Sequence, residues 1–316
     1  VAARVSGKLA AAEGAKAKIA AWAMNVGRKV NARKNAGQSV GGVLALQYRL
    51  ADKLIFSKVK PAIGMAKAKT CVTGAAPISS EILDFFSGLD LPIREVYGQS
   101  EDCGPTTFNL PGQTRIGSVG PAIPGVEVKI AEDGEILVKG PNVFVGYYRD
   151  EGATQEALQD GWLLTGDLGA FDEDGFLHIT GRKKDIIITA GGKNIAPKNI
   201  ELALTNLVLV GQAVVIGDRR KHLSALLTLD EEGIASFAKT HSLPSEGLHE
   251  NAKVLGEIQT GVNTVNELFA RVEHVRKFTV LPRAFSVEDG ELTPTMKIKR
   301  KIVHEHFHEE IDGMYA

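Results

Sequence analysis

The sequence predicts an α/β protein: a strand-and-helix segment, then a small all-β unit, then a compact α+β module. Three observations predict it. Short apolar runs at Cys71–Val72 and Ile93–Val96 each lead into a glycine-containing loop and enclose the amphipathic segment Ser79–Phe86, the strand, loop, helix, strand order of an α/β sheet. From Thr114 to Thr180 short strands alternate with turns. Beyond Arg182, helical and strand patterns mix over a length suited to one small domain.

Taken in order, Leu9 to Val30 is mostly Ala, Lys, Leu, Ile and Met, strong helix formers, with Trp22 as one large apolar anchor. Asn, Gly and Ser between Asn31 and Gly42 break this helix, and a second runs from Val43 to about Val59, before Pro61. The β unit shows Val126–Ile130 and Glu135–Lys139 around the turn Glu132-Asp133-Gly134, and a second hairpin turning at Asp174-Gly175. The polar stretch Lys183-Lys184-Asp185 leads into a strand at Ile186–Ile188 and the glycine pair Gly191-Gly192. A helix is expected from Pro197 to Leu204, strands at Gln212–Ile216 and Leu223–Leu229, and a helix around Val265–Val275. The domain boundary is placed near Arg182–Asp185, giving residues 1–183 (1–110 α/β, 111–183 β) and 184–316.

With 44% hydrophobic residues the chain has enough apolar content for real cores, and no run of about 18 apolar residues suggests a membrane span. The start lacks a secretory core, so the cytoplasm is the default location. Val1 in place of Met suggests that the chain begins inside a longer one. Cys71 and Cys103 have no paired spacing, so neither a disulfide framework nor a zinc site is indicated. The 37 Lys and Arg nearly balance the 38 Asp and Glu, yet residues 1–70 hold 14 basic residues against 2 acidic ones. That flank lacks the aromatic interleaving of a nucleic-acid surface, so nucleic acid is not an expected partner. A solvated basic face, or peripheral contact at the inner membrane surface, are the readings it leaves.

Four constellations carry chemistry. Tyr97-Gly98-Gln99-Ser100-Glu101 follows a strand at the carboxyl end of a sheet, where ligands bind. There a tyrosine can stack on a purine, a glycine permits close backbone approach and a carboxylate can hold Mg²⁺. Upstream, Gly74-Ala75-Ala76-Pro77 is a loop of small residues with room for a flat base or an acyl chain. Asp167, in Trp162–Asp167, and Arg182, in Gly181–Asp185, suit the hydroxyls and phosphates of a nucleotide. Near the C terminus, Leu292–Arg300 presents Lys297 on a loop before a helix, where its charge can lie over an attacked phosphorus. By residue type alone, Lys297 reads first as one more cation of a solvated tail.

In this order and spacing the segments resemble the adenylate-forming family of acyl-CoA synthetases, luciferases and peptide-synthetase adenylation domains, over essentially the whole chain. Tyr97–Glu101 is similar to the family's Tyr-Gly-x-Thr-Glu, with Ser100 in place of threonine. Leu163–Gly169 and Gly181–Glu201 resemble its ribose-aspartate and hinge segments. The block Leu50–Val59 and the tail Leu292–Lys297, with Met296 where other branches usually have glycine, resemble the long-chain fatty acyl-CoA synthetases. The resemblance implies the C-terminal part of the large domain, an α/β sheet with a small β-barrel, followed by a small mobile α+β domain. It implies ATP, Mg²⁺ and coenzyme A, with a long-chain fatty acid as substrate.

By the same resemblance Gly74, Ala75, Ala76, Pro77, Tyr97, Gly98, Gln99 and Ser100 would line the nucleotide pocket, with Ser100 at the α-phosphate and Glu101 on Mg²⁺. Asp167 and Arg182 would hold the ribose. Lys297 would act in adenylation, and Lys184 would be the hinge that brings Gly191, Gly192 and Lys193 to the site for thioester formation. The family's upstream phosphate loop is absent, since Gly37–Gly42 is followed by no Lys-Ser/Thr. The chain is therefore expected to be inactive alone, with an acyl-AMP ligase that loads a carrier protein, or a non-catalytic adenylate-binding fragment, as the alternatives. Trp162 is expected in the core, and His304, His306 and His308 on a solvated C-terminal helix, with no metal role.

Overall fold

The computed structural model describes residues 14–316, which fall into two units, one ending at Thr180 and one spanning Gly181–Ala316. Residues 9–13 of the first expected helix lie outside the described residues.

In the first unit α1 (Gly14–Asn35) buries Ala20, Ala23, Val26, Gly27 and Val30, one face at helical spacing. It outlasts the expected break because Asn31 finds tertiary partners: its amide donates to Ser87 O at 2.8 Å and to Asp90 Oδ1 at 3.4 Å. α2 (Gly42–Ala51) passes through a π-helical turn at Asp52–Phe56 into α3 (Ser57–Ala62), so the second helix runs past Pro61 rather than ending before it. Phe56 is buried against α1 with Ala51, Val26 and Val30. β1 (Cys71–Thr73), α4 (Ser80–Gly88) and β2 (Ile93–Tyr97) follow, with β1 and β2 parallel in the register Cys71↔Ile93. β3 (Thr107–Phe108) adds antiparallel to β2. α4 starts where its amphipathic pattern starts, because the Ser79 hydroxyl accepts the Ile82 N–H.

The β segment comprises β4 (Glu127–Ile130), β5 (Glu135–Lys139), the short helix α5 (Glu151–Ala157), β6 (Leu158–Gln159), β7 (Trp162–Phe171) and β8 (Leu177–Arg182). The strands run in the order β4-β5-β7-β6, with β8 also on β7, and close over Ile136, Val138, Leu163 and Leu177. Trp162 is not in this core. It is half-buried on the sheet surface with Lys129 Nζ 3.9 Å and Lys139 Nζ 5.7 Å from its ring, because the period of β7 sends Leu163, not Trp162, inward.

The second unit opens with the hairpin β9 (Ile187–Ile188) and β10 (Asn194–Ile195), then α6 (Pro197–Thr205), β11 (Val210–Ile216), β12 (Leu223–Leu229), α7 (Glu231–His241), α8 (Ala252–Asn266), β13 (Val275–Val280), α9 (Arg300–His306) and α10 (His308–Gly313). β12 is central, antiparallel to β11 and parallel to β13. It is buried on both faces, its two polar residues Ser224 and Thr228 included: Leu223, Ala225 and Leu227 face one cluster with Ile200 and Ile258, and Leu226 faces another with Phe285 and Val303. Each such leucine contributes about 1.5–3 kcal/mol of burial. The helix expected around Val265–Val275 is a correction. The helix is Ala252–Asn266, buried through Val254, Ile258, Val262 and Val265, and Val275 begins a strand paired with Leu223. Asn266 enforces the change, its side chain accepting the Val275 N–H and donating to the Val275 O.

Candidate active site

The parallel register of β1 and β2 places two loops side by side at their carboxyl ends, Gly74–Pro77 and Gly98–Glu101. Gly98 is required there: a Cβ on it would sit 1.7 Å from Gly104 O. The loop is held by Asp102, which sequence reasoning missed. Its buried carboxylate accepts the Gln99 N–H at 2.7 Å and the Thr106 hydroxyl at 2.5 Å, and burial pushes its pKa up. Ser100 is exposed and Glu101 half-buried on the outer side of this turn, while Gly74, Ala75, Ala76 and Pro77 are exposed at the neighbouring strand end.

Asp167 and Tyr147 reach these loops from the β segment. Tyr97, packed partly against the Ile136–Leu177 core, donates its hydroxyl to Asp167 Oδ2 at 2.9 Å. Burial first, and then the Asp167 charge, raise the pKa of the phenol, so it remains a donor. Asp167 is presented by a bend in which Gly166, at φ +70°, donates its N–H to the buried Glu135, and the Thr165 hydroxyl donates to Ile136 O at 2.7 Å. Tyr147, also missed in the sequence, donates to Glu101 Oε1 at 2.7 Å, and that bond chiefly raises its own pKa. Phe144 completes the arrangement, its N–H donating to Glu101 O and its ring 4.9 Å edge-on from Tyr147. The legible signal for Tyr147 was the aromatic pair Tyr147-Tyr148 in the segment between β5 and α5.

The remaining candidates belong to the second unit. Arg182 ends β8, Lys184 is exposed in a turn at Lys183–Asp185, and Gly191, Gly192 and Lys193 form the tip of the β9–β10 hairpin. That tip is closed by Thr189 N to Lys193 O at 3.0 Å and Gly192 N to Thr189 O at 2.8 Å, with Gly192 at φ +73°. Lys297 is exposed on the loop before α9, preceded by Met296 in the left-handed region at φ +63°. Lys184, Lys193 and Lys297 thus stand on three separate loops. The three histidines do not share one helix: Phe307 separates α9 from α10, and His306 Nδ1 lies 3.0 Å from Glu291. Among the described residues no group of three or more His, Cys, Asp and Glu side chains could hold a metal ion. No described helix is long and apolar enough to cross a membrane.

Comparison with known proteins matches this geometry to a family. Residues 25–148 match the AMP-binding enzyme model, and residues 184–316 match the AMP-binding enzyme C-terminal domain. The chain is 43% identical over 279 residues to the long-chain-fatty-acid–CoA ligase FadD15 of Mycobacterium bovis, covering 87% of this chain and 46% of that protein. It is 40% identical over 327 residues to the long-chain-fatty-acid–CoA ligase ACSBG2 of Xenopus laevis, covering 95% and 44%. The fold is similar to the adenylation domain of a carboxylate reductase from Mycobacterium chelonae, at TM-score 0.65 and 23% identity over 93% of this chain and 45% of that one. It is also similar to O-succinylbenzoate coenzyme A synthetase from Bacillus subtilis in complex with ATP and magnesium ion, at TM-score 0.57 and 28% identity, over 78% and 49%. The chain spans about half the length of the curated relatives it matches. With both family models matched in order along one chain, and the fold of adenylation domains beneath them, the chain belongs to the family of AMP-binding enzymes.

Proposed function

We propose that the protein carrying this chain is an ATP-dependent long-chain fatty acid–CoA ligase. A carboxylate oxygen of the fatty acid attacks the α-phosphorus of ATP and pyrophosphate leaves. The coenzyme A thiol then attacks the acyl carbon, AMP leaves, and the thiol proton passes to solvent. The observation that carries the reading is the hydrogen bond between Tyr97 and Asp167 beside the paired strand ends at Gly74–Pro77 and Gly98–Glu101, an aromatic ring that can stack on a purine next to a carboxylate that can accept from a ribose. The long-chain assignment draws on relatives named long-chain-fatty-acid–CoA ligases.

In this reading Gly74, Ala75, Ala76, Pro77, Tyr97, Gly98 and Gln99 line the adenine side, Ser100 meets the α-phosphate, and Asp167 and Arg182 take the ribose. Glu101, its carboxylate oriented by the Tyr147 hydroxyl, is the residue that would hold Mg²⁺. When bound, that ion offsets phosphate charge. Lys297 offsets the charge that develops at the attacked phosphorus. Lys184 is the hinge on which the second unit turns to present Gly191, Gly192 and Lys193 for thioester formation.

We place the protein in the cytoplasm, with contact to an anionic membrane surface. Val43, Leu46 and Leu50 are 71%, 65% and 51% exposed on one face of α2, beside the exposed Arg49 and Lys53. Sedimentation with anionic against neutral vesicles tests that contact, and equal recovery would remove it.

The activity is tested by pyrophosphate release with ATP, Mg²⁺ and palmitate, with free coenzyme A as acceptor. The gene-length protein is expected to turn over and to acylate coenzyme A, and the 316-residue chain alone is not. Acylation of a carrier protein in place of free coenzyme A would reassign the acceptor.

A further inference from the structure

The loop that presents Lys297 is small and polar. Leu292 and Ile298 pair across its neck, Thr293 N donates to Lys297 O at 2.8 Å, and Lys297 N donates to the Thr293 hydroxyl at 3.0 Å. Apart from Leu292 and Ile298, nothing apolar within the loop anchors it to the second unit. Two buried carboxylates anchor its ends instead.

Glu291, immediately before the loop, is 0% exposed. Its two oxygens accept both arms of Arg283, each at 2.7 Å, and they also meet the Ser286 N–H at 3.0 Å and His306 Nδ1 at 3.0 Å. Its backbone O accepts the Lys299 N–H at 2.7 Å, across the neck. Arg283 first among these partners holds the carboxyl down at about 2, so it stays ionised and has no proton to exchange with a reaction. On the far side Arg300, three residues after Lys297, forms an ion pair with the buried Glu201 of α6 and donates to Val215 O at 3.2 Å. Glu201 also accepts the Val215 N–H at 2.9 Å, which ties the pair to β11.

We propose that Glu291 and Glu201 are positioning residues for Lys297: by clamping both ends of its loop through Arg283 and Arg300, they present the ammonium in one place while the adenylate forms. Neither carboxylate touches a reacting atom. The proposal rests on the reading of Lys297 as the adenylation lysine. A purely structural ion pair would serve the whole unit alike, whereas a positioning clamp matters to the half-reaction in which Lys297 takes part and not to the other.

The test uses Glu291→Gln, Glu201→Gln and the reference Lys297→Ala in the gene-length protein, with each half-reaction assayed separately. Adenylation is followed by pyrophosphate exchange, and thioester formation from presynthesised palmitoyl-AMP. Glu291→Gln is expected to lower the adenylation kcat by on the order of 100-fold, with KM for ATP and the thioester step unchanged. In the 316-residue chain, amide hydrogen exchange of residues 292–299 should quicken while β11 and β12 stay protected. Arg283→Lys keeps the charge but loses the two-armed fork, and is expected to show the same pattern more weakly should Glu291→Gln fail to fold. Unchanged exchange over 292–299, or equal loss in both half-reactions alongside a fall in melting temperature, overturns the proposal. If Lys297→Ala leaves adenylation intact, the reading of Lys297 fails, while the exchange result still decides whether the carboxylates fix the loop.

Discussion

The Tyr97 hydroxyl donates to Asp167 Oδ2 at 2.9 Å, joining the end of a parallel strand to a bend in the β segment seventy positions further on. The bond turns the carboxylate and fixes the ring at the same time. Tyr97→Phe keeps the ring and removes the bond, so AMP affinity is expected to fall about tenfold, near 1.4 kcal/mol for one lost charge-assisted bond. Titration calorimetry with AMP measures it, and wild-type affinity would show that the carboxylate orients itself.

Gly98 faces Gly104 O so closely that any side chain must move the loop. Overpacking of this kind costs about 1–3 kcal/mol, so Gly98→Ala should lower the melting temperature of the first unit by roughly 3–10 °C. Nucleotide affinity should drop with it. A variant that melts like the parent would mean that the Gly98 loop has room the structure does not show.

Met296 stands at φ +63°, a conformation that glycine adopts freely and other residues do not. Relief of that strain, partly offset by glycine's freer unfolded chain, predicts that Met296→Gly stabilises the second unit by up to about 1 kcal/mol. The β-branched Met296→Val should destabilise it. Scanning calorimetry of the two variants gives the order, and a reversed order would contradict the prediction.

Lys184 lies in the exposed turn Lys183–Asp185. Proline there locks φ and restricts the preceding residue, which resists rotation without disturbing either packed core. Lys184→Pro is expected to spare adenylate formation and slow thioester formation about tenfold or more, as a gating step requires. Equal loss in the two half-reactions counts against a hinge at this position.

Glu95 is partly buried on β2, accepts the Gly117 N–H at 2.9 Å, and has its pKa raised by burial to about 7 from 4.5. Between those values the folded state holds a proton that the unfolded chain has released. Stability from this group is therefore full below 4.5 and lost as the pH rises through 7. Glu95→Gln should melt above wild type at pH 8, with the gap closing toward pH 4.5. A gap that does not change with pH would assign Glu95 an ordinary surface titration.

The loops of the candidate site were legible before folding because they carry their own chemistry. Gly98–Glu101 and Gly74–Pro77 directly follow short strands, and a strand end is a local feature. β12 was equally legible, since burial on both faces leaves Leu223 to Leu229 apolar except at Ser224 and Thr228. The Val265–Val275 segment was not, because its apolar spacing suits a helix and only pairing with Leu223 makes Val275 a strand. The stripe Val254, Ile258, Val262 carries the helical period of the helix that does form.

By itself the sequence determined which residue types stand at the strand ends and on the lysine loops, and hence the family. Tertiary structure alone decided which side chains hold them in place. Tyr147 on Glu101, Asp102 beneath Gln99, Tyr97 on Asp167, Arg283 on Glu291 and Arg300 on Glu201 are contacts between separate segments or within tight turns. Hydrogen-bond geometry depends on backbone placement to a fraction of an ångström, and residue order along a chain carries no such distance.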